Sequence, residues 1–143
     1  MSWTVLFHPE FEPEFDSLPD DVQDELLALA LRLEDVGPAL GRPHADTLKG
    51  SAHANMKELR FSADGGVWRT AFAFDPQRQA ILLVAGDKSG GAQGRFYKTL
   101  IRKADERYAA HLAATKGKSD DNAEAKTRRP ARRPAQKDRR PRR

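Results

Sequence analysis

Between Val36 and Met56 the chain changes its hydrophobic period. Upstream, Val22, Leu26, Leu29, Ala30 and Leu33 recur every three or four residues, the spacing that gathers side chains onto one stripe of a helix. From Met56 onward the period is two, the repeat that sends alternate side chains to opposite faces of a strand. A chain that carries the first pattern and then the second fits neither an all-helical bundle nor an all-β sandwich. It predicts an α+β domain, with helices laid on a sheet.

The segments follow from local chemistry. Trp3–Phe7 is short, apolar and β-favouring, and reads as a strand. His8-Pro9 opens a helical stretch through Phe15, and Leu18-Pro19 breaks it. Asp20 or Asp21 is positioned to cap the next helix, which Gly37-Pro38 ends, giving an antiparallel helix pair. Residues 38–55 have no steady period and read as an extended connection. Strands are expected at Met56–Ser62, Val67–Asp75 and Ala80–Asp87, joined by short turns, hence an antiparallel meander. Trp68, Thr70, Phe72 and Phe74 then share the face that meets the helix pair, while Arg69, Ala71 and Ala73 share the other. Residues 95–113 form a last helix with Tyr97, Leu100, Ile101, Ala104, Tyr108 and Leu112 as its apolar stripe.

Charge is divided along the chain. Residues 1–36 hold ten acidic residues against Arg32 alone, whereas residues 116–143 hold twelve Lys/Arg and four Asp/Glu. That last segment has no large apolar residue, so it cannot offset its ordering entropy by burial and is expected to be a disordered basic tail after a domain at 1–115. There is no cysteine, which excludes disulfides and thiolate metal sites and suits a reducing, cytoplasmic setting. No basic-then-apolar leader opens the sequence, and no apolar run approaches the roughly 20 residues needed to span a bilayer. His44, Asp46 and His53 are too scattered for a metal-ligand set, so a metal-free site without cofactor is expected.

Several motifs occur in a fixed order: Gly37-Pro38-Ala39-Leu40-Gly41-Arg42-Pro43, Asp46-Thr47-Leu48-Lys49-Gly50-Ser51, Asn55-Met56-Lys57-Glu58-Leu59-Arg60, Trp68-Arg69-Thr70-Ala71-Phe72-Ala73-Phe74-Asp75-Pro76, Ile81-Leu82-Leu83 and Gly86-Asp87-Lys88. Together they resemble the phage-derived, HigB-like branch of the RelE/ParE toxin superfamily, over roughly residues 1–112. The resemblance implies a RelE-like fold: an N-terminal strand and two-helix hairpin on a twisted antiparallel sheet, closed by a C-terminal helix. It also implies the toxin of a type II toxin–antitoxin system, an endoribonuclease (mRNA interferase) acting on mRNA at the ribosome. Its partner would be a helix-turn-helix antitoxin, with operator DNA reached only through the antitoxin complex. ParE-type relatives act on DNA gyrase instead, so fold alone leaves both activities open.

Cleavage without a metal requires a base for the 2′-OH, cations for the phosphorane and an acid for the leaving 5′-oxygen. Arg69 is the first candidate for the phosphate, since a guanidinium is always charged and forks onto two oxygens; its other reading is a pair with Glu58 or Asp75. Arg60 and Lys57 lie on the preceding strand with opposite parity, and Arg60, in phase with Glu58, is favoured. Where the resemblance leads one to expect two lysines, this chain has Met56 and Glu58, which makes Glu58 either the base or a structural partner of the arginines. The resemblance places a functional cation at Lys88, otherwise a strand-end lysine, and a tyrosine at Tyr97 that stacks a base, donates a proton or packs in the core. His53 is a further acid–base candidate or an exposed loop histidine. Lys57, Arg95 and Lys98 are expected to contact the RNA backbone.

Overall fold

The structure, a computed structural model, describes residues 3–117. Its elements are β1 (Thr4–Phe7), α1 (Phe11–Asp16), α2 (Asp20–Val36), a 3-10 turn at Gly37–Ala39, β2 (Ala45–Thr47), β3 (Met56–Ala63), β4 (Gly66–Phe74), β5 (Gln79–Asp87) and α3 (Gln93–Gly117). The closing helix runs past the expected boundary at residue 115; the remainder of the expected tail lies outside the described residues.

One five-stranded sheet, in the order β1-β5-β4-β3-β2, organises the domain. The β3–β4–β5 meander is antiparallel, as its short turns require. Two features depart from the sequence reading. β1 pairs parallel to β5, Val5 opposite Ala80 and Phe7 opposite Leu82, so the sheet is mixed at that edge. The connection after α2 contains β2, which pairs antiparallel with β3 through Ala45–Leu59, Asp46–Glu58 and Thr47–Lys57. Three residues are too few to show a period, and only pairing to β3 makes them a strand.

Helices cover both faces of the sheet. On one, Phe11 and Phe15 of α1 and Leu26, Ala30 and Leu33 of α2 pack on Phe7, Leu59, Phe72 and Leu82. Full burial of the phenylalanines stabilises this layer by about 1.5–3 kcal/mol each. On the other, Leu100, Ala104 and Tyr108 of α3 pack on Met56, Ala71, Ala73 and Ile81. Alanine at 71, 73 and 104 keeps this second interface thin and draws α3 onto β4.

A bulge sets where α3 lands. The β4–β5 register steps from Ala71–Val84 to Phe72–Leu82 and leaves Leu83 unpaired. Leu83 and Val84 therefore both face α3, and the phase of β5 reverses at that point. The Leu83 carbonyl accepts from Arg107 Nη1 at 2.8 Å, and the same guanidinium grips Glu14 of α1 through Nη1 at 2.9 Å and Nη2 at 2.6 Å. Further along α3, His111 Nε2 lies 2.8 Å from Asp75 Oδ2, and Gln79 donates to the same oxygen at 2.7 Å.

Helix starts also differ from expectation. Pro19, without a capping side chain, occupies the N-cap of α2, and Asp20 and Asp21 lie in its first turn, where a carboxylate favours the helix dipole. His8 serves α1: its carbonyl accepts from Phe11 and Glu12, and its ring Nδ1 accepts from Glu10 N–H at 3.0 Å. Burial lowers the His8 pKa to about 4, which keeps that ring nitrogen free of a proton.

Candidate catalytic cleft

Pairing of β3 with β4 sets Arg60 opposite Arg69 and Glu58 opposite Ala71, and pairing with β2 sets Asp46 opposite Glu58. Residues opposite one another share a face, so these four polar side chains all stand on the side covered by α3. Beyond the alanines that seat Leu100 and Ala104, the first turns of α3 bring Tyr97 over this polar patch.

The contacts form a continuous chain of alternating charge. Arg42 Nε is 3.0 Å from Asp46 Oδ2, and Arg60 Nη1 is 3.5 Å from the same oxygen. Arg60 Nε lies 3.8 Å from Glu58 Oε2, and Arg69 Nε lies 3.8 Å from Glu58 Oε1. The Tyr97 hydroxyl completes it, donating to Glu58 Oε1 at 3.0 Å and accepting from Arg69 Nε at 3.1 Å. Arg69 also donates through Nη1 to the Trp68 carbonyl at 2.9 Å, and only 7% of the residue is exposed. Of its two expected carboxylate partners, Arg69 thus pairs with Glu58. Arg69 still contributes to the wall of an open hollow of about 590 Å3, with Arg42, Pro43, Arg60, Phe61, Ser62 and Val67.

Burial raises the Glu58 pKa above the ordinary glutamate value, because the hydrogen bond from Tyr97 and the charges of Arg69 and Arg60 do not fully offset the lost hydration. Burial likewise raises the Tyr97 pKa, with Glu58 adding to the effect and Arg69 opposing it. The phenol therefore stays protonated at neutral pH. A carboxylate with raised proton affinity, bonded to a hydroxyl that touches a guanidinium, is an arrangement that can take up and return a proton beside an anion.

The other candidates are distributed around this centre. Lys88 and Arg95 line a neighbouring hollow, with Lys88 Nζ donating to Gln93 Oε1 at 2.9 Å. Lys98 is exposed on α3. Lys57, opposite Phe72, belongs to the hairpin face and points away from Arg69. His53 is not brought to the cleft: its ring stands edge-on to Tyr108, at a centroid distance of 4.9 Å, eleven residues along α3 from Tyr97. Sequence reasoning passed over Asp46 and Arg42 as members of this constellation. Their spacing of four is a weak signal by itself; it is the register of β2 that carries Asp46 to Arg60.

Residues 13–109 match the family described as phage-derived protein Gp49-like. A Mycobacterium tuberculosis protein named as the toxin HigB3 is 42% identical over 113 residues, 79% of this chain and 96% of that protein. The chain belongs to this Gp49-like, HigB-like branch of the RelE superfamily. A second M. tuberculosis protein of the branch, named as the toxin HigB2, is 52% identical over 91 residues. That match covers 62% of this chain and 45% of HigB2, so the chain spans less than half of that relative. The fold of the branch is shared with the Escherichia coli toxin RelE, solved as a double arginine-to-alanine mutant in the free state. The TM-score is 0.52 at 12% identity, over 72% of this chain and 97% of RelE.

Proposed function

We propose that this chain is the toxin of a type II toxin–antitoxin system and a metal-independent endoribonuclease that cuts mRNA at the ribosome. The observation that carries the reading is the Tyr97 hydroxyl held between Glu58 and Arg69, the latter lining an open hollow together with Arg42 and Arg60. Relatives named as toxins support the biological role.

In the proposed reaction the substrate's 2′-OH attacks the adjacent phosphorus and the bond from phosphorus to the 5′-oxygen breaks. The products are a 2′,3′-cyclic phosphate and a 5′-OH end. Glu58 takes the proton from the 2′-OH, Arg60 and Arg69 hold the non-bridging oxygens, and Tyr97 donates its proton to the departing oxygen. The 3.0 Å bond between Tyr97 and Glu58 then returns the proton to the phenol and restores both groups. Lys88, Arg95 and Lys98 neutralise the strand on the α3 side. Lys57 and His53 lie too far from this geometry to join the chemical step and serve, in this reading, as outlying contacts.

Neutralisation is assigned to a helix-turn-helix antitoxin, and operator DNA to the complex of the two. No described helix is long and apolar enough to cross a membrane, and the reaction is assigned to the cytoplasm, where mRNA is translated.

The test is to induce the protein and map new 5′ ends in extracted RNA, alongside an Arg69→Ala variant. Discrete 5′-OH ends within translated frames, lost in the variant, are expected. Accumulated cleaved DNA with intact mRNA would replace this reading by a gyrase-directed one, in which the internally paired Arg69 is a structural group.

A further inference from the structure

The cleft around Arg69 sets three guanidiniums against two carboxylates, so most of its positive charge is compensated internally. Arg42, Arg60 and Arg69 are each paired with Asp46 or Glu58. A second hollow, about 430 Å3, lies between the end of β5 and the first turns of α3 and carries Lys88, Arg95 and Lys103. None of these three is in an ion pair among the described residues; Lys88 is held by the neutral amide of Gln93. Lys103 also lies in the field of Glu14, whose carboxylate is gripped by Arg107. The one carboxylate of the rim, Asp87, is occupied locally: its Oδ1 accepts from the Ser89 hydroxyl at 2.6 Å, Ser89 N at 2.9 Å and Val67 N at 3.1 Å.

Below this cationic rim the floor is apolar, made by Val84, Phe96 and Leu100. Gly86 permits it: a Cβ there would stand 2.8 Å from Phe96 Cε1, so only a glycine lets the ring lie against β5. Phe96 and Tyr97 are edge to face at a centroid distance of 5.1 Å, so the ring that lines this hollow adjoins the one whose hydroxyl touches Arg69. A cationic rim over an aromatic floor matches one chemistry closely, a phosphodiester carrying a planar base. The base must be unstacked to reach the floor, which selects a single strand over a duplex. The volume falls within the ~300–1,000 Å3 of small-ligand sites.

We infer that the hollow bounded by Lys88, Arg95 and Lys103 is a subsite for one nucleotide of single-stranded RNA adjoining the cleaved linkage, with its phosphate on the rim and its base against Phe96. The choice of RNA rests on the nuclease reading; the hollow's preference for a single-stranded polyanion does not.

The test measures binding of a 2′-O-methyl oligoribonucleotide, which has no hydroxyl with which to attack, to the full-length protein across a salt series. Cations of the C-terminal segment are common to all variants and cancel in the difference. With Arg95→Gln and Lys103→Gln combined, the slope of log K against log salt is expected to be shallower by about 0.7, the value for one phosphate no longer neutralised. Phe96→Leu is expected to weaken binding of the oligonucleotide but not of an abasic analogue, with the slope unchanged. A thermal midpoint at the wild-type value for the double variant keeps misfolding out of the comparison. Wild-type slope and affinity in the double variant would overturn the subsite, and RNA cleavage by the parent protein would then leave the nuclease reading standing. A shallower slope without any cleavage by the parent would retain the subsite and remove the nuclease reading.

Discussion

Glu14 and Arg107, 93 positions apart, form a two-pronged ion pair at 2.6 and 2.9 Å that ties the first helix to the last. Because Arg107 also satisfies the unpaired Leu83 carbonyl, one side chain links α1, the β5 bulge and α3. Replacing it strands an acceptor in the interior and leaves a carboxylate without its partner. Arg107→Ala is expected to cost about 2–4 kcal/mol, read as a lower urea midpoint. A midpoint equal to wild type would show that the linkage contributes nothing net.

The same pair sets an acid limb. The hydrogen bond from Arg107 holds the Glu14 carboxyl below its ordinary value. At Asp75 burial pushes upward, and hydrogen bonds from His111 and Gln79 together outweigh it, so that group is lowered as well. A carboxyl lowered by folding adds stability above its unfolded pKa and loses it as pH falls through the folded one. Stability is therefore expected to decline on acidification below the ordinary carboxylate range. Arg107→Met should shallow that decline in urea titrations taken pH by pH.

Glu58 has the opposite sign. Its pKa is raised by burial, so the folded protein binds that proton more tightly than the unfolded chain does and loses stability as pH rises from the unfolded value through the folded one. Glu58→Gln should therefore be at least as stable as wild type at neutral pH while its cleavage rate falls by roughly 10²-fold, the scale of a lost general base. In the wild type the acidic limb of kcat/KM should sit above the ordinary glutamate range, and in the variant it should vanish. Loss of stability and of activity together would make Glu58 a structural partner of the arginines.

Much of this arrangement was legible before any coordinates. The period of α2 and the alternation through β4 are long enough to be unambiguous, and they put Arg69 on the face away from the hairpin. Glu58 and Arg60 were already in phase with each other by parity. What sequence could not reveal depends on pairing between distant segments. β2 is a strand only because β3 lies beside it, and with it come Asp46 and Arg42. The parallel seam between β1 and β5 leaves no local mark. Arg107 and His111 interrupt the apolar stripe of α3, and their burial is explained only by the bulge carbonyl and by Asp75.

Tyr97→Phe removes the hydroxyl that joins Glu58 to Arg69 and leaves the ring in place. Cleavage is expected to fall by about 10²-fold with KM little changed, since in the proposed reaction the group acts on the departing oxygen more than on binding. A rise in KM at constant kcat would instead make Tyr97 a stacking surface.

The reversal at Leu83 divides β5 into two inheritances. Before it, odd-numbered positions look toward α3; after it, even-numbered ones do, Gly86 among them. A saturation library across this strand should show its tolerance pattern slipping by one residue at that point. Substitutions on the near side would be judged by the scaffold, and those on the far side by whatever molecule the protein engages.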